Sequence, residues 1–455
     1  MTNFEKFGLD VPQILLPKNI DVKTWSVVAC DQYTQDKDYW AAAAKIAGGS
    51  PSTLNLIFPE VYLNDGGKAG RIQKIKEAMA SYIDGGIFAA PQKEMVYVER
   101  TTAYGRVRKG LVAALDLDSY EWKPFSTALT RATEATILER IPPRMEIRRG
   151  APLELPHIML LANDPDGLLI ESIGKKIAAR KDAPLYQGEL MQNSGSIKGW
   201  AVQSDDDLDC VSAALQKLYD AGTKNGSTFL FAVGDGNHSL ATAKAVWEEE
   251  KKRLQEAGAG DQEIQASPVR FALVEIVNIY DAGLTFEPIH RVVLAKDAAG
   301  AAAKNAPENF EALIQFLQKK LDGAIEQAAD KDALKKAVKN STADFGFYYK
   351  KDGAQKCVLL KTKITDLAVS RLQPALDEFL KSQTGTELDY IHGAEEIFRL
   401  GEQDGALGIL LPPVAKDSFF DTIGTLGPLP RKSFSMGEAS EKRFYLEARR
   451  LFSGN

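Results

Sequence analysis

Thr228-Phe-Leu-Phe-Ala-Val-Gly-Asp-Gly-Asn-His-Ser239, with the residues that follow to Glu256, is the stretch on which the fold turns. Thr228 to Val233 is a short, continuous run of β-branched and aromatic side chains, the composition of a central strand. Leu240, Ala243, Trp247 and Leu254 then recur on one face of a helix. Between them lie Gly234, Asp235, Gly236, Asn237 and His238, with Ser239 where an N-cap belongs. Two glycines let the backbone approach a ligand closely, and the free amides at a helix start attract an anion. Asp235 has the chemistry to hold a metal ion or orient His238, and His238 to touch a phosphoryl oxygen. A plain tight turn is the competing reading, since Asp-Gly is a common hairpin signal. A helix follows where a hairpin needs a second strand, which weakens that alternative.

Outward from this unit the pattern predicts a mixed α/β (α+β) protein. Buried strands are expected at Ser26–Cys30, Met95–Arg100, Leu111–Leu117, His157–Ala162 and Phe271–Ile279. Helices are expected at Asp38–Ile46, Arg71–Tyr82 and residues 206–221. Thr130 to Arg140 also has helical propensity, with Pro142-Pro143 ending it. At roughly 150 residues per domain, a chain of 455 residues divides into two or three. Lys296 to Asn309, an Ala-, Asn- and Pro-bearing stretch with little to bury, marks the boundary. It separates an N-terminal α/β domain, 1–295, from a C-terminal α/β domain, 296–455. The latter is read as a helix near Phe310–Leu321, a strand at Phe345–Tyr349, a helix from Ser370 to Leu380, a strand at Leu407–Leu411 and a charged last helix.

Other segments carry candidate chemistry. In Thr130–Arg144, Arg131 and Glu134 stand three apart and share a face if the segment is helical. Glu134 then reads as a general base, and Arg131 and Arg144 as ligands for carboxylate or phosphate; an ion-paired, solvated helix end fits equally. Asp31 ends the Ser26–Cys30 run, where ligands gather in open α/β sheets, although an Asx turn explains it as well. The four histidines, His157, His238, His290 and His392, show no zinc-helix spacing. Arg431 and Lys432, with Lys442-Arg443, suggest a basic lid over a phosphate, or charges that merely neutralise nearby acids.

Several classes are disfavoured. A net charge of −6 opposes non-specific polyanion binding, so no nucleic acid partner is expected. Nowhere do eighteen apolar residues run together, so no helical membrane span is expected. Met1 to Lys18 reads as neither a signal nor a transit peptide. Three scattered cysteines offer no disulfide framework, which fits a reducing cytoplasm. No P-loop, GxGxxG fingerprint or Gly-x-Ser-x-Gly elbow is present.

Trp25-Ser-Val-Val-Ala-Cys-Asp-Gln-Tyr-Thr34, Arg131-Ala-Thr-Glu134, Glu139-Arg-Ile-Pro-Pro-Arg144, Glu154-Leu-Pro-His157, Val233-Gly-Asp-Gly-Asn-His-Ser-Leu-Ala241, Phe286-Glu-Pro-Ile-His-Arg291 and Leu429-Pro-Arg-Lys-Ser433 together resemble the bacterial and archaeal family called domain of unknown function 1015. More distantly, Asp235-Gly-Asn-His-Ser239 is similar to the phosphate-binding turn of the ParB/sulfiredoxin-like superfamily, which includes free serine kinases. The resemblance implies a ParB/sulfiredoxin-like core with large insertions plus a C-terminal α/β domain, and a phosphoryl-transfer site after Val233. Asp235, Gly236 and His238 carry over. Asn237 and Ser239 replace the histidine and arginine of the fuller pattern, so an arginine contact comes from elsewhere or is absent.

The expected function is therefore a phosphotransferase of serine metabolism, a small-molecule kinase or phosphatase acting on free serine or phosphoserine with a nucleotide or pyrophosphate as partner. His238, Glu134 and Asp31 are its catalytic candidates. Gly234, Asp235, Gly236, Asn237, Ser239, Arg131, Arg144, Arg431 and Lys432 are its phosphate-binding candidates, with Mg²⁺ expected on Asp235. The competing class is a non-catalytic, nucleotide-responsive binding or regulatory protein. Neither reaction direction nor oligomeric state follows from the sequence.

Overall fold

The computed structural model describes residues 3–297 and 300–452. By contacts the chain divides into two compact units: Met1–Leu284 together with Gly437–Asn455, and Thr285–Met436. The compositional boundary at 296 compares with a contact boundary after Leu284, because Phe286–Ala295 is a strand of the second unit's sheet. The low-burial stretch 296–309, of which residues 298 and 299 lie outside the described residues, leads from that strand into a helix starting at Ala306.

The first unit is built on a ten-stranded mixed sheet. Its main strands are β1 (Met95–Thr101), β2 (Val107–Asp116), β3 (Thr130–Ala132), β4 (Ile158–Ala162), β5 (Ser196–Val202), β6 (Phe231–Asp235) and β7 (Phe271–Asn278). They lie in the order β5-β1-β2-β7-β4-β6-β3. β6 runs parallel to β3 and antiparallel to β4, with a register irregularity between Val233 and Asp235. The C-terminal ends of β3 and β6 therefore meet the N-terminal end of β4 along one edge of the sheet. The helices used below are α1 (Lys37–Ala47), α2 (Lys68–Asp84), α3 (Ile141–Arg148), α4 (Ile170–Arg180), α5 (Asp205–Ala221) and α6 (Asn237–Glu256).

The decisive stretch folds as a strand, a turn and a helix. Phe231, Ala232 and Val233 are fully buried in β6, and Leu240, Ala243 and Trp247 bury one face of α6. Complete burial explains why β6 reads as an unbroken apolar run rather than an alternating one.

Three local expectations are corrected. Residues 130–140 are not a helix: β3 pairs with β6, irregular chain and a short 3-10 turn follow, and α3 starts where the helix was expected to stop. Pro142 and Pro143 occupy its first turn, where a missing N–H costs nothing. Arg131 and Glu134 thus share no helical face. Ser26–Cys30, buried except for the half-buried Cys30, makes an isolated bridge, Val28 to Phe444, instead of a strand. The charged C-terminal segment forms no long helix. It threads the first unit, pairing Arg449–Arg450 with Leu153–Glu154. Ala29 donates to the Arg443 carbonyl and Tyr445 to that of Val27, both at 2.9 Å.

This tail brings charge into the core. Arg443, 1% exposed, is ion-paired with Glu275 and Glu447, both wholly buried. Arg449 Nε donates to Glu154 Oε1 at 2.7 Å. Gly110 in β2 makes the room: a Cβ there would collide with Glu275 Oε1.

The second unit carries a seven-stranded sheet in which every described pairing is antiparallel. Its strands include β8 (Phe286–Ala295), β9 (Phe345–Lys351), β10 (Ala354–Lys361), β11 (Thr386–His392) and β12 (Ala406–Leu410), in the order β10-β9-β12-β8-β11. Tyr348 alternates with Phe347 and Tyr349 along β9. It packs with Leu334, Val338 and Phe398 on one face, whereas Tyr349 meets the Phe310 ring on the other, so helices cover both. Among the described residues no helix is long and apolar enough to cross a membrane.

Candidate functional site

The site begins where β6 ends. Gly236, at φ 80°, is the N-cap of α6, and no side chain caps this 20-residue helix. Ser239 is therefore not the N-cap; it is the third helical residue. A Cβ on Gly236 would lie 3.2 Å from the Ile158 backbone, so the turn needs glycine for both its handedness and its contact with β4. The first amides of α6 lack intrahelical acceptors, and the helix dipole adds positive potential there.

Asp235 stands at this opening. Its Oδ1 accepts the Gly236 amide at 3.1 Å, while Oδ2 is buried without a hydrogen-bond partner. Lys442 Nζ lies 3.6 Å from Oδ2. Burial raises the Asp235 carboxyl, Lys442 pulls it back, and the Asp31 charge pushes it up again. Lys442 is 8% exposed and is ion-paired with Asp235. A cation beside an uncapped helix start fits an anion that carries several oxygens.

A second chain of groups converges on Ser239. Its hydroxyl lies 2.6 Å from His157 Nε2, and His157 Nδ1 lies 3.1 Å from the Tyr445 hydroxyl, which accepts the Cys30 amide at 3.1 Å. His157 precedes β4, Ser239 opens α6 and Tyr445 comes from the C-terminal tail. Ser239, His157 and Tyr445 line a cavity of about 140 Å³ with Glu60 and Arg144. Glu60 and Arg144, ion-paired to each other, also line a neighbouring cleft of about 860 Å³. Burial raises Glu60 against the pull of Arg144. Burial likewise raises the Cys30 thiol, helped by the Asp31 and Glu60 charges, so it stays protonated.

The other sequence candidates divide into those that shape the turn and those placed elsewhere. The Asn237 side chain is engaged by Thr133, whose amide donates to Oδ1 at 3.2 Å while Nδ2 donates to Thr133 Oγ1 at 3.2 Å. Thr133 Oγ1 in turn donates to the Val233 carbonyl at 2.5 Å, fixing the end of β3 to the end of β6. Glu134 follows directly and is half-buried. His238 Nε2 accepts the Ile137 amide at 3.3 Å; burial first, then the Arg144 and Arg140 charges, lower its pKa to about 4. It is thus a neutral ring that holds the 133–140 loop to α6. Asp31 accepts from Gln32 Nε2 at 3.0 Å and electrostatically couples to Asp235 and Glu60.

Arg131 turns away from the site. It donates to the Ala128 carbonyl at 2.9 Å and Ser227 Oγ at 2.8 Å, and its guanidinium stacks on Phe229. Arg431 and Lys432 belong to the second unit, where both lie over the Tyr390 ring.

Sequence alone does not single out Tyr445 or Glu60 as site residues. It presents Lys442 only within a basic pair read as part of a lid, and His157 only as one of four histidines. Little local marks them, because each becomes a neighbour of the turn only through folding; the strings Lys442-Arg443 and Glu154-Leu-Pro-His157 are the available signals.

Comparison with solved structures finds low-level likenesses. A conserved hypothetical protein from Pyrococcus furiosus is 11% identical over 74% of this chain and 90% of its own, with a TM-score of 0.32. A free serine kinase in complex with AMP is 13% identical over 75% and 91%, with a TM-score of 0.33. SbnI with a C-terminal truncation, from Staphylococcus aureus, is 8% identical over 72% and 82%, with a TM-score of 0.35. Among curated proteins, no sequence matches. The family described as protein of unknown function DUF1015 matches residues 14–379, and the chain belongs to that family.

Proposed function

We propose that this protein transfers a phosphoryl group to or from the hydroxyl of a small amino-acid substrate, free serine or phosphoserine, with a nucleotide or pyrophosphate as the other partner. One observation carries the reading: the ammonium of Lys442, a largely buried side chain, lies 3.6 Å from Asp235 at the uncapped start of α6. Backbone amides of α6 and Lys442 supply donors for phosphoryl oxygens, and fixed donors of this kind contribute most where charge develops during transfer. For direct transfer, the proton acceptors in this reading are Asp31, whose charge acts on Asp235, and Glu134, which follows the Thr133 tied to Asn237. The similarity of Asp235-Gly-Asn-His-Ser239 to the ParB/sulfiredoxin-like turn supports the same reading.

Among the described residues no group of three or more His, Cys, Asp or Glu is assembled for a metal. Mg²⁺ takes only one or two protein carboxylates when phosphate oxygens complete its shell. Asp235, with its unpartnered Oδ2, fits that requirement. Bound there, Mg²⁺ would neutralise charge on the transferring group.

Phosphorus NMR with serine or phosphoserine against ATP, ADP and pyrophosphate tests the proposal. We expect turnover with one such pair, and a loss of at least about 100-fold in Lys442→Met, the scale for removing one transition-state donor. Full turnover in Lys442→Met would remove the site. Thermal stabilisation by nucleotide alone, with no turnover of any pair, would instead favour a nucleotide-responsive regulatory protein.

A further inference from the structure

We infer that Ser239 is a nucleophile with His157 as its general base, so that transfer passes through a phosphoseryl enzyme; this rests on reading the α6 turn as a phosphoryl site. A nucleophilic serine needs a base within hydrogen-bond reach, a partner that orients the base, and donors beside the reacting centre. Ser239 Oγ lies 2.6 Å from His157 Nε2. Tyr445 stands 3.1 Å from Nδ1, with its ring nearly perpendicular to the imidazole at 77°. Ser239 itself belongs to the uncapped first turn of α6 and lines a cavity with His157, Tyr445, Glu60 and Arg144.

The burial pattern argues against a merely structural serine. At the third position of a helix a serine reaches water or its own backbone without help, yet here it is joined to a histidine only 8% exposed and a tyrosine only 2% exposed. The neighbouring Thr242 shows the ordinary alternative, donating to the His238 carbonyl at 2.7 Å.

The Tyr445 oxygen accepts the Cys30 amide and, as a hydroxyl, can also accept from Nδ1–H. In the tautomer with its hydrogen on Nδ1, Nε2 is free to take the Ser239 proton.

In the transfer, a bond forms from Ser239 Oγ to phosphorus while the donor's phosphorus–oxygen bond breaks. The Ser239 proton goes to His157 Nε2, which gives it to the leaving oxygen of the donor, a phosphate monoester or phosphoanhydride. In the second half an acceptor hydroxyl attacks phosphorus, its proton passes to Nε2, and the proton returns to Ser239 as the phosphorus–Oγ bond breaks.

The test exposes the full chain to a small fluorophosphonate, an electrophile that displaces fluoride only onto activated hydroxyls, and locates adducts by peptide mass spectrometry. We expect one adduct, on Ser239, forming at least about 100-fold faster than in His157→Gln, in line with a positioned general base. Tyr445 is a positioning residue. Tyr445→Phe removes the acceptor for Nδ1–H, so the maximal labelling rate should fall by about 10-fold or more while the half-saturating fluorophosphonate concentration stays unchanged, a split that a merely structural tyrosine would not produce. No adduct on Ser239, or equal rates in wild type and His157→Gln, overturns the nucleophile. Melting with inorganic pyrophosphate separates the two readings. Where no Ser239 adduct forms, stabilisation of wild type keeps the phosphoryl site and rejects only the covalent route, whereas its absence in wild type rejects the site.

Discussion

His238 accepts the Ile137 amide on Nε2, and that bond requires the neutral ring. Its pKa is lowered from 6.5 to about 4, chiefly by burial. Between these values the unfolded chain binds more protons than the folded one, so stability rises with pH across the window and is lost as pH falls from 6.5 towards 4. His290 in the second unit, whose Nδ1 accepts the Leu411 amide at 3.1 Å, is lowered to about 4 for the same reason and adds in the same direction. The melting temperature of wild type should therefore climb more steeply from pH 4 to 6.5 than that of a His238→Gln, His290→Gln double variant; identical slopes would reject the assignment. At this scale the sequence is readable only in part. The turn at Asp235 and Gly236 declares itself by residue type and order, whereas Ser239, read as an N-cap, is the third helical residue. The role of His238 does not declare itself, because a ligand-touching histidine and a loop-holding one look alike until their partners are known.

The β6–α6 unit is legible because its signals are local: an apolar run, a glycine-bearing turn and a helical stripe within one stretch of chain. Gly236→Ala tests the turn. Left-handed backbone costs a non-glycine residue about 1–2 kcal/mol, and the added Cβ would press on Ile158. Denaturant unfolding should show at least that loss; an unchanged midpoint would mean the turn adopts another geometry. Residues 130–140 mislead for the opposite reason. Their alanines, glutamates and leucine favour a helix when alone, but three residues gain a parallel partner in β6, and a tertiary pairing outweighs a propensity of tenths of a kcal/mol per residue. The prolines then reverse in meaning: the same pair that ends one helix opens another.

Over the whole molecule, the first unit is discontinuous in sequence, and composition carries no sign of it. Lys442, Arg443, Glu447 and Arg449 have the charge pattern of a solvated helix, yet all are buried. Each meets an opposite charge supplied by a distant part of the chain or, for Arg443 and Glu447, by the other. Arg443→Met strands Glu447 and leaves Glu275 with Arg108 alone, whose Nε lies 3.7 Å away, and breaking a buried pair from one side costs about 3–5 kcal/mol. Chemical denaturation should register that loss, and a variant as stable as wild type would show that the tail contributes little to the first unit. Lys442 and Tyr445 also lie beyond residue 379, where the family match ends.

The threading of residues 437–452 through the first unit has a consequence for how the protein is made. Translation delivers the sheet and the α6 turn early, but the ammonium and the phenol that complete the turn leave the ribosome only after the whole intervening unit. A chain terminated early by a nonsense codon, or clipped near Gly437, would leave Asp235 without its ion-pair partner and the first unit open to a protease. A closed first unit would then certify that synthesis had run past this last segment.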